Sequence, residues 1–238
     1  MALLDLNVDL GELPDEPAAL YGIATVVNVA CGGHAGDLGS MARALSFAMA
    51  RGTRVAAHPS YPDREGFGRA SMDITPEALE ASIAEQCDKL QGLARKLGYP
   101  VAIVKPHGAL YHDAAKSPAL AAAVLDGAAR GLGSKGAALT VVGPPKGALL
   151  EESLRRGHVY AREGFADRGY RPDGSLVPRA EPGALLTDPN AAARQATELA
   201  ARGGLETLCV HSDTPGAVAI ATAVRDALHQ AKTLVGSM

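Results

Sequence analysis

The sequence predicts a single-domain α/β fold built on a parallel sheet, and three observations carry that expectation. Short apolar runs alternate from end to end with longer segments rich in Ala and Leu. Several runs, such as Val141-Val142 and Leu208-Cys209-Val210, are almost continuously apolar, as strands covered on both faces must be. The intervening segments open with a side-chain acceptor followed by proline, the chemistry of a helix start. A chain of 238 residues is long enough to bury a substantial core, so one domain spanning 1–238 is expected.

In chain order, the first strand is expected over 3–9, where acidic and apolar residues alternate, and the second over 25–31. A helix over 37–50 follows and closes at Gly52, a residue that readily takes the left-handed conformation ending a helix. The third strand is 54–58, and Thr75-Pro76-Glu77 opens the next helix. The fourth strand, 101–107, precedes a helix opened by Ser117-Pro118. The fifth, 138–143, precedes a helix over 146–156 that closes at Gly157. The sixth, 159–165, leads to a helix opened by Asp188-Pro189, and the seventh, 207–211, to a helix over 214–232. Two irregular stretches, 60–74 and 166–187, directly follow strands and carry the anchors Phe67 and Leu176. In a parallel βα array they emerge on the C-terminal side of the sheet, so they are expected to cover substrate.

Lys and Arg number 23 against 26 Asp and Glu, which is too balanced for a nucleic-acid binder. The first ten residues resemble neither a cleavable signal nor a membrane span, and a cytoplasmic protein without membrane contact is expected. Cys31, Cys87 and Cys209 form no CxxC pair. They are expected to be buried, inert thiols rather than nucleophiles. With aromatic residues at 4%, no large aromatic interaction surface is expected.

The polar residues gather at strand ends: Asp9 and Glu12 after the first strand, His34 and Asp37 after the second, His58 after the third, Lys105 and His107 at the fourth, Asp167 and Arg168 after the sixth, and His211 and Asp213 at the seventh. Four of seven histidines therefore lie on one side of the sheet, whereas His112, His158 and His229 are expected at the surface. Catalytic groups in parallel α/β folds come from the ends of several strands, so this recurrence points to an active site. Gly32, Gly33 and Gly36 precede a helix and suit either a phosphate or carboxylate held by backbone N–H groups or a plain tight turn. No GxxxxGK(S/T) loop and no well-placed GxGxxG is present. Asp9, His34 and His58 have the ligand types of a divalent metal site, and equally of a hydrogen-bonded polar site.

The segments 7–12, 28–37, 57–63, 105–111, 165–168, 176–179 and 209–217, with CGGHAGD, KPHGALY and HSDTPGA at their centres, closely resemble the LamB/YcsF family of 5-oxoprolinase A subunits, in collinear order along nearly the whole chain. The resemblance implies a seven-stranded parallel (β/α) barrel, distorted and TIM-like, of the glycoside hydrolase and deacetylase type. It implies ATP-dependent opening of the 5-oxoproline lactam to glutamate, with Mg²⁺ carried by ATP and with B and C subunits as partners. In that scheme Lys105 takes the developing anionic oxygen or a phosphate, Asp9 or Glu12 the water or magnesium, and His107 a proton, while His34, Asp37, His58, Asp167, Arg168, His211 and Asp213 bind substrate. The sequence departs from the family where Glu12 is followed by the short connection Leu13-Pro14-Asp15-Glu16-Pro17, where Gly33 takes an aromatic position, and where HSDTPGA replaces HGDTPGA. Those changes should alter pocket shape more than chemistry. Two other readings compete: a metal-dependent deacetylase or amidohydrolase acting on a carbohydrate or another N-acyl substrate, and a catalytically silent ligand-binding subunit.

Overall fold

The computed structural model describes residues 3–134 and 136–235. Its elements follow in the order β1 (Asp5–Leu10), α1 (Leu20–Ile23), β2 (Val26–Ala30), α2 (Leu38–Met49), β3 (Arg54–His58), α3 (Pro76–Lys96), β4 (Ile103–Val104), α4 (Gly108–Lys116), α5 (Pro118–Leu132), β5 (Thr140–Gly143), α6 (Ala148–Arg155), β6 (Val159–Phe165), α7 (Pro189–Arg202), β7 (Thr207–His211) and α8 (Ala217–Gln230). The strands pair in sequence order, and β1 pairs in parallel with β7 to close a seven-stranded parallel barrel. No helix among the described residues is long and apolar enough to cross a membrane.

Strand periodicity decides what faces where. On β1, Leu6, Val8 and Leu10 join Val27, Val29, Val55, Val104, Val141, Leu208 and Val210 in the core beneath the helices. The alternate residues Asn7 and Asp9 belong to the barrel interior, where they meet side chains from β2, β6 and β7. The register places Asp9 beside Asn28 on one flank and His211 on the other, and Ala30 beside His58. One end of the barrel is thereby lined with groups that can do chemistry.

The proline-headed helices start where their caps predict. Thr75, Ser117 and Asp188 accept hydrogen bonds from the N–H groups of Ala78, Leu120 and Asn190, each with proline in the first turn. Three features go beyond the expected pattern or correct it. The fourth strand pairs regularly only over Ile103–Val104, because Pro106 has no N–H, although Lys105 N–H still donates to Ala57 O and His107 N–H to Pro59 O. Helices α1 and α4 were not legible: neither has a side-chain cap, and α1 is a single turn. The stretch 166–187 is a folded flap, held by antiparallel bridges between Arg168 and Leu185 and between Tyr170 and Leu176.

Candidate active site

The floor of the site is the barrel interior, which is filled with polar side chains. Lys105 Nζ lies 2.9 Å from Asp9 Oδ1, 2.9 Å from Glu163 Oε1, 3.1 Å from Asn7 Oδ1 and 3.2 Å from Cys209 Sγ. Asn28 donates to Asp9 Oδ1 at 2.7 Å, and Asn7 donates to Glu163 Oε1 and Thr207 Oγ1, each at 2.8 Å. All seven residues are buried. An ammonium has only three N–H donors, and these acceptors occupy them. The oxyanion role expected of Lys105 is therefore corrected: its contacts make it the counter-ion that positions Asp9. Burial alone would raise the Asp9 pKa, but Lys105 and then His58 more than offset it and hold this carboxylate well below its ordinary range.

Above the floor, three imidazoles surround Glu12. Glu12 Oε1 lies 3.0 Å from His34 Nε2, 3.3 Å from His107 Nδ1 and 3.7 Å from His58 Nε2. His34 stacks flat on His107 with centroids 3.6 Å apart, and Phe67 closes over both rings edge-on. Burial brings the His34 pKa down to about 4 against the opposing hydrogen bond to Glu12. Glu12 itself is held low, because the neighbouring imidazoles of His107 and His34 outweigh its own burial. The donors that can share one metal ion are thus Glu12, His34, His58 and His107, and this set fits a divalent metal. The expected trio of Asp9, His34 and His58 is corrected, since Asp9 groups instead with Cys209 and His211.

On the opposite wall His211 turns Nδ1 to Asp167 Oδ1 at 3.0 Å and leaves Nε2 3.9 Å from Asp9 Oδ2. Asp167 is fixed in turn by the His211 backbone N–H at 3.0 Å and the Thr214 hydroxyl at 2.6 Å. Burial would lower the His211 pKa, but Asp167 and Asp9 together raise it. The cavity between these walls encloses about 420 Å³, and Arg69, Leu176 and Arg179 reach it from the two covering loops. At its mouth Asp213 accepts from Arg69 Nη2 at 2.5 Å and from Arg179 Nη1 and Nη2 at 2.6 and 3.0 Å. Arg168 instead donates to the carbonyls of Ala184 and Val177, so it braces the flap as well as lining the cavity.

Of the expected site residues, Asp37 is not brought to the cavity. It is exposed and caps α2 through a reciprocal pair of hydrogen bonds with Ser40. The glycines beside it form a tight turn: Gly32 N–H donates to Ala35 O, Gly36 takes φ +82 where a Cβ would stand 2.6 Å from Ala30 O, and a Cβ on Gly33 would strike Gln86 and Ser60. All three cysteines are free and buried, and burial pushes the Cys31 thiol up to about 12. Sequence reasoning missed Glu163, Arg69 and the place of His112 on the cavity wall. The signal for Glu163 was an acid inside a strand, two residues before the inward-facing Phe165.

Sequence and structure comparisons agree on the relatives. The model of the LamB/YcsF family matches residues 4–238. A protein from Mycobacterium avium (strain 104), named as the A subunit of 5-oxoprolinase, is 45% identical over 249 residues, covering 97% of this chain and 97% of that one. The protein of the same name from Streptomyces coelicolor is 42% identical over 253 residues, covering 99% of each. A crystal structure described as a lactam utilization protein from Thermus thermophilus is 34% identical, with a TM-score of 0.88 over 99% of this chain and 100% of that one.

Proposed function

Because the chain belongs to the LamB/YcsF family, we propose that it is the lactam-opening subunit of an ATP-dependent 5-oxoprolinase, working with B and C subunits. The observation that carries this reading is the pairing, at the cavity floor, of the Asp9 carboxylate with an imidazole, His211, that Asp167 orients and makes more basic. Opening a lactam needs both: a base to guide water to the carbonyl carbon, and an acid to protonate the nitrogen as the C–N bond breaks.

A lactam is a poor electrophile, and a phosphoryl group moved from ATP to its oxygen makes the ring carbon open to attack. Water oriented by Asp9 Oδ2 gives that carboxylate a proton and adds to the carbon. His211 Nε2 delivers its proton to the ring nitrogen, which leaves as the amine of glutamate. A second water then releases the phosphate from the acyl group. Lys105 and Asn28 keep Asp9 ionised and fixed until the first water attacks.

The test is glutamate release from 5-oxoproline, with and without ATP and with and without the B and C subunits. Release in the complete mixture alone is expected, with His211→Asn and Asp9→Asn each lowering kcat roughly 10²- to 10⁴-fold. No glutamate from the complete mixture would end the reading. Undiminished turnover by both variants would leave a silent binding subunit in its place.

A further inference from the structure

The donors around Glu12 have a property that the proposed chemistry does not use. His58 Nδ1 lies 2.7 Å from Lys105 O, and His107 Nε2 lies 3.1 Å from Phe67 O. A carbonyl oxygen only accepts, so both of these ring nitrogens carry the proton. In the neutral rings the other nitrogens, His58 Nε2 and His107 Nδ1, then present lone pairs, yet they face each other at 3.0 Å. Glu12 Oε1, also an acceptor, completes the triangle at 3.3 and 3.7 Å. Three lone-pair donors this close repel unless something positive lies between them.

The spacing matches a bound cation. Bonds of about 2.0–2.2 Å from a tetrahedral ion to nitrogen and oxygen place the donor atoms about 3.3–3.6 Å apart, within the observed range of 3.0 to 3.7 Å. The outer nitrogens are tied to backbone carbonyls in the way that fixes the tautomer of a metal-binding imidazole. One of those carbonyls costs backbone strain, since Phe67 is held at φ +55, a left-handed conformation that a bulky side chain avoids.

We infer that Glu12 Oε1, His58 Nε2 and His107 Nδ1 form a site for one divalent first-row transition ion of the zinc class. His34, whose Nε2 sits 3.0 Å from the same Glu12 oxygen, is the positioning residue that orients the carboxylate. Imidazole with a single carboxylate suits such ions rather than magnesium, which takes oxygen ligands and retains water. The fourth position opens toward Asp9 Oδ2, 3.5 Å from His58 Nε2.

The experiment uses the untagged full-length chain, stripped with a chelator and titrated with Zn²⁺ by calorimetry and with Co²⁺ by visible absorption. One equivalent of each is expected, with the Co²⁺ spectrum of a four-coordinate ion. Glu12→Gln and His107→Gln should each weaken Zn²⁺ binding by more than about 100-fold, the upper end of what losing an outer-shell partner costs. His112→Gln, on the cavity wall but outside the cluster, should leave the affinity unchanged. Far-UV circular dichroism shows whether each variant is folded, and Glu12→Gln, which keeps the side-chain shape, serves if His107→Gln is not. A wild-type chain that takes up no ion, as it would if the facing nitrogens share a proton, overturns the assignment. So does one-to-one binding of unchanged strength in a folded Glu12→Gln variant. Neither result depends on glutamate release.

Discussion

Asp167 raises the His211 pKa against its burial, and that makes a pH prediction possible. The His211 pKa is raised in the folded chain, so the stabilisation from its ion pair is full below the ordinary imidazole value of about 6.5 and is lost as pH rises through the raised value. If His211 is the acid, kcat/KM falls on the alkaline side along the same titration. Asp167→Asn removes the raising charge, so its alkaline limb should move to lower pH in a pH–rate profile. A second prediction concerns Lys105. Lys105→Met leaves Asp9 and Glu163 buried without their counter-ion and should cost about 3–5 kcal/mol, measured by urea unfolding. Residue type made Asp9, His58, His107 and His211 legible in the sequence, because histidines and acids at strand ends are informative. Partnership was not legible: whether Lys105 meets a substrate or four protein acceptors depends on strands far apart in the chain.

At the level of elements, the sequence disclosed what local chemistry specifies. Strands β3, β6 and β7 lie where apolar patterning placed them, and three helices begin at their proline-headed caps. Helix α4 was invisible because tertiary contact starts it. Gly108, at φ +58, lies against the carbonyl of Gly68, and Ala109 N–H donates to that same oxygen at 2.9 Å. This joint couples α4 to the loop that carries Phe67 and Arg69. Gly108→Ala should therefore cost about 1–3 kcal/mol in thermal or urea unfolding through strain and collision, and it should disturb the cavity more than the distant α5–α3 packing.

Across the whole molecule, the two covering loops arrive from opposite sides of the mouth and meet on one residue, Asp213. Arg69 and Arg179 share that single carboxylate, so the entrance carries surplus positive charge suited to an anionic substrate. Arg179→Gln should raise KM for 5-oxoproline with little effect on kcat, and wild-type KM should rise with salt because part of this attraction is screened over about 10 Å at 0.1 M ionic strength. The barrel interior has a different consequence, for assembly. Asn7 meets Lys105, Glu163 and Thr207 across 98, 156 and 200 positions of chain. A strand paired one step out of register would strand a buried charge, not merely misplace a methyl group. The interior is therefore expected to act as a checkpoint on folding: the barrel should close late, as one cooperative event, and a chain lacking the last strand should collapse without acquiring native order.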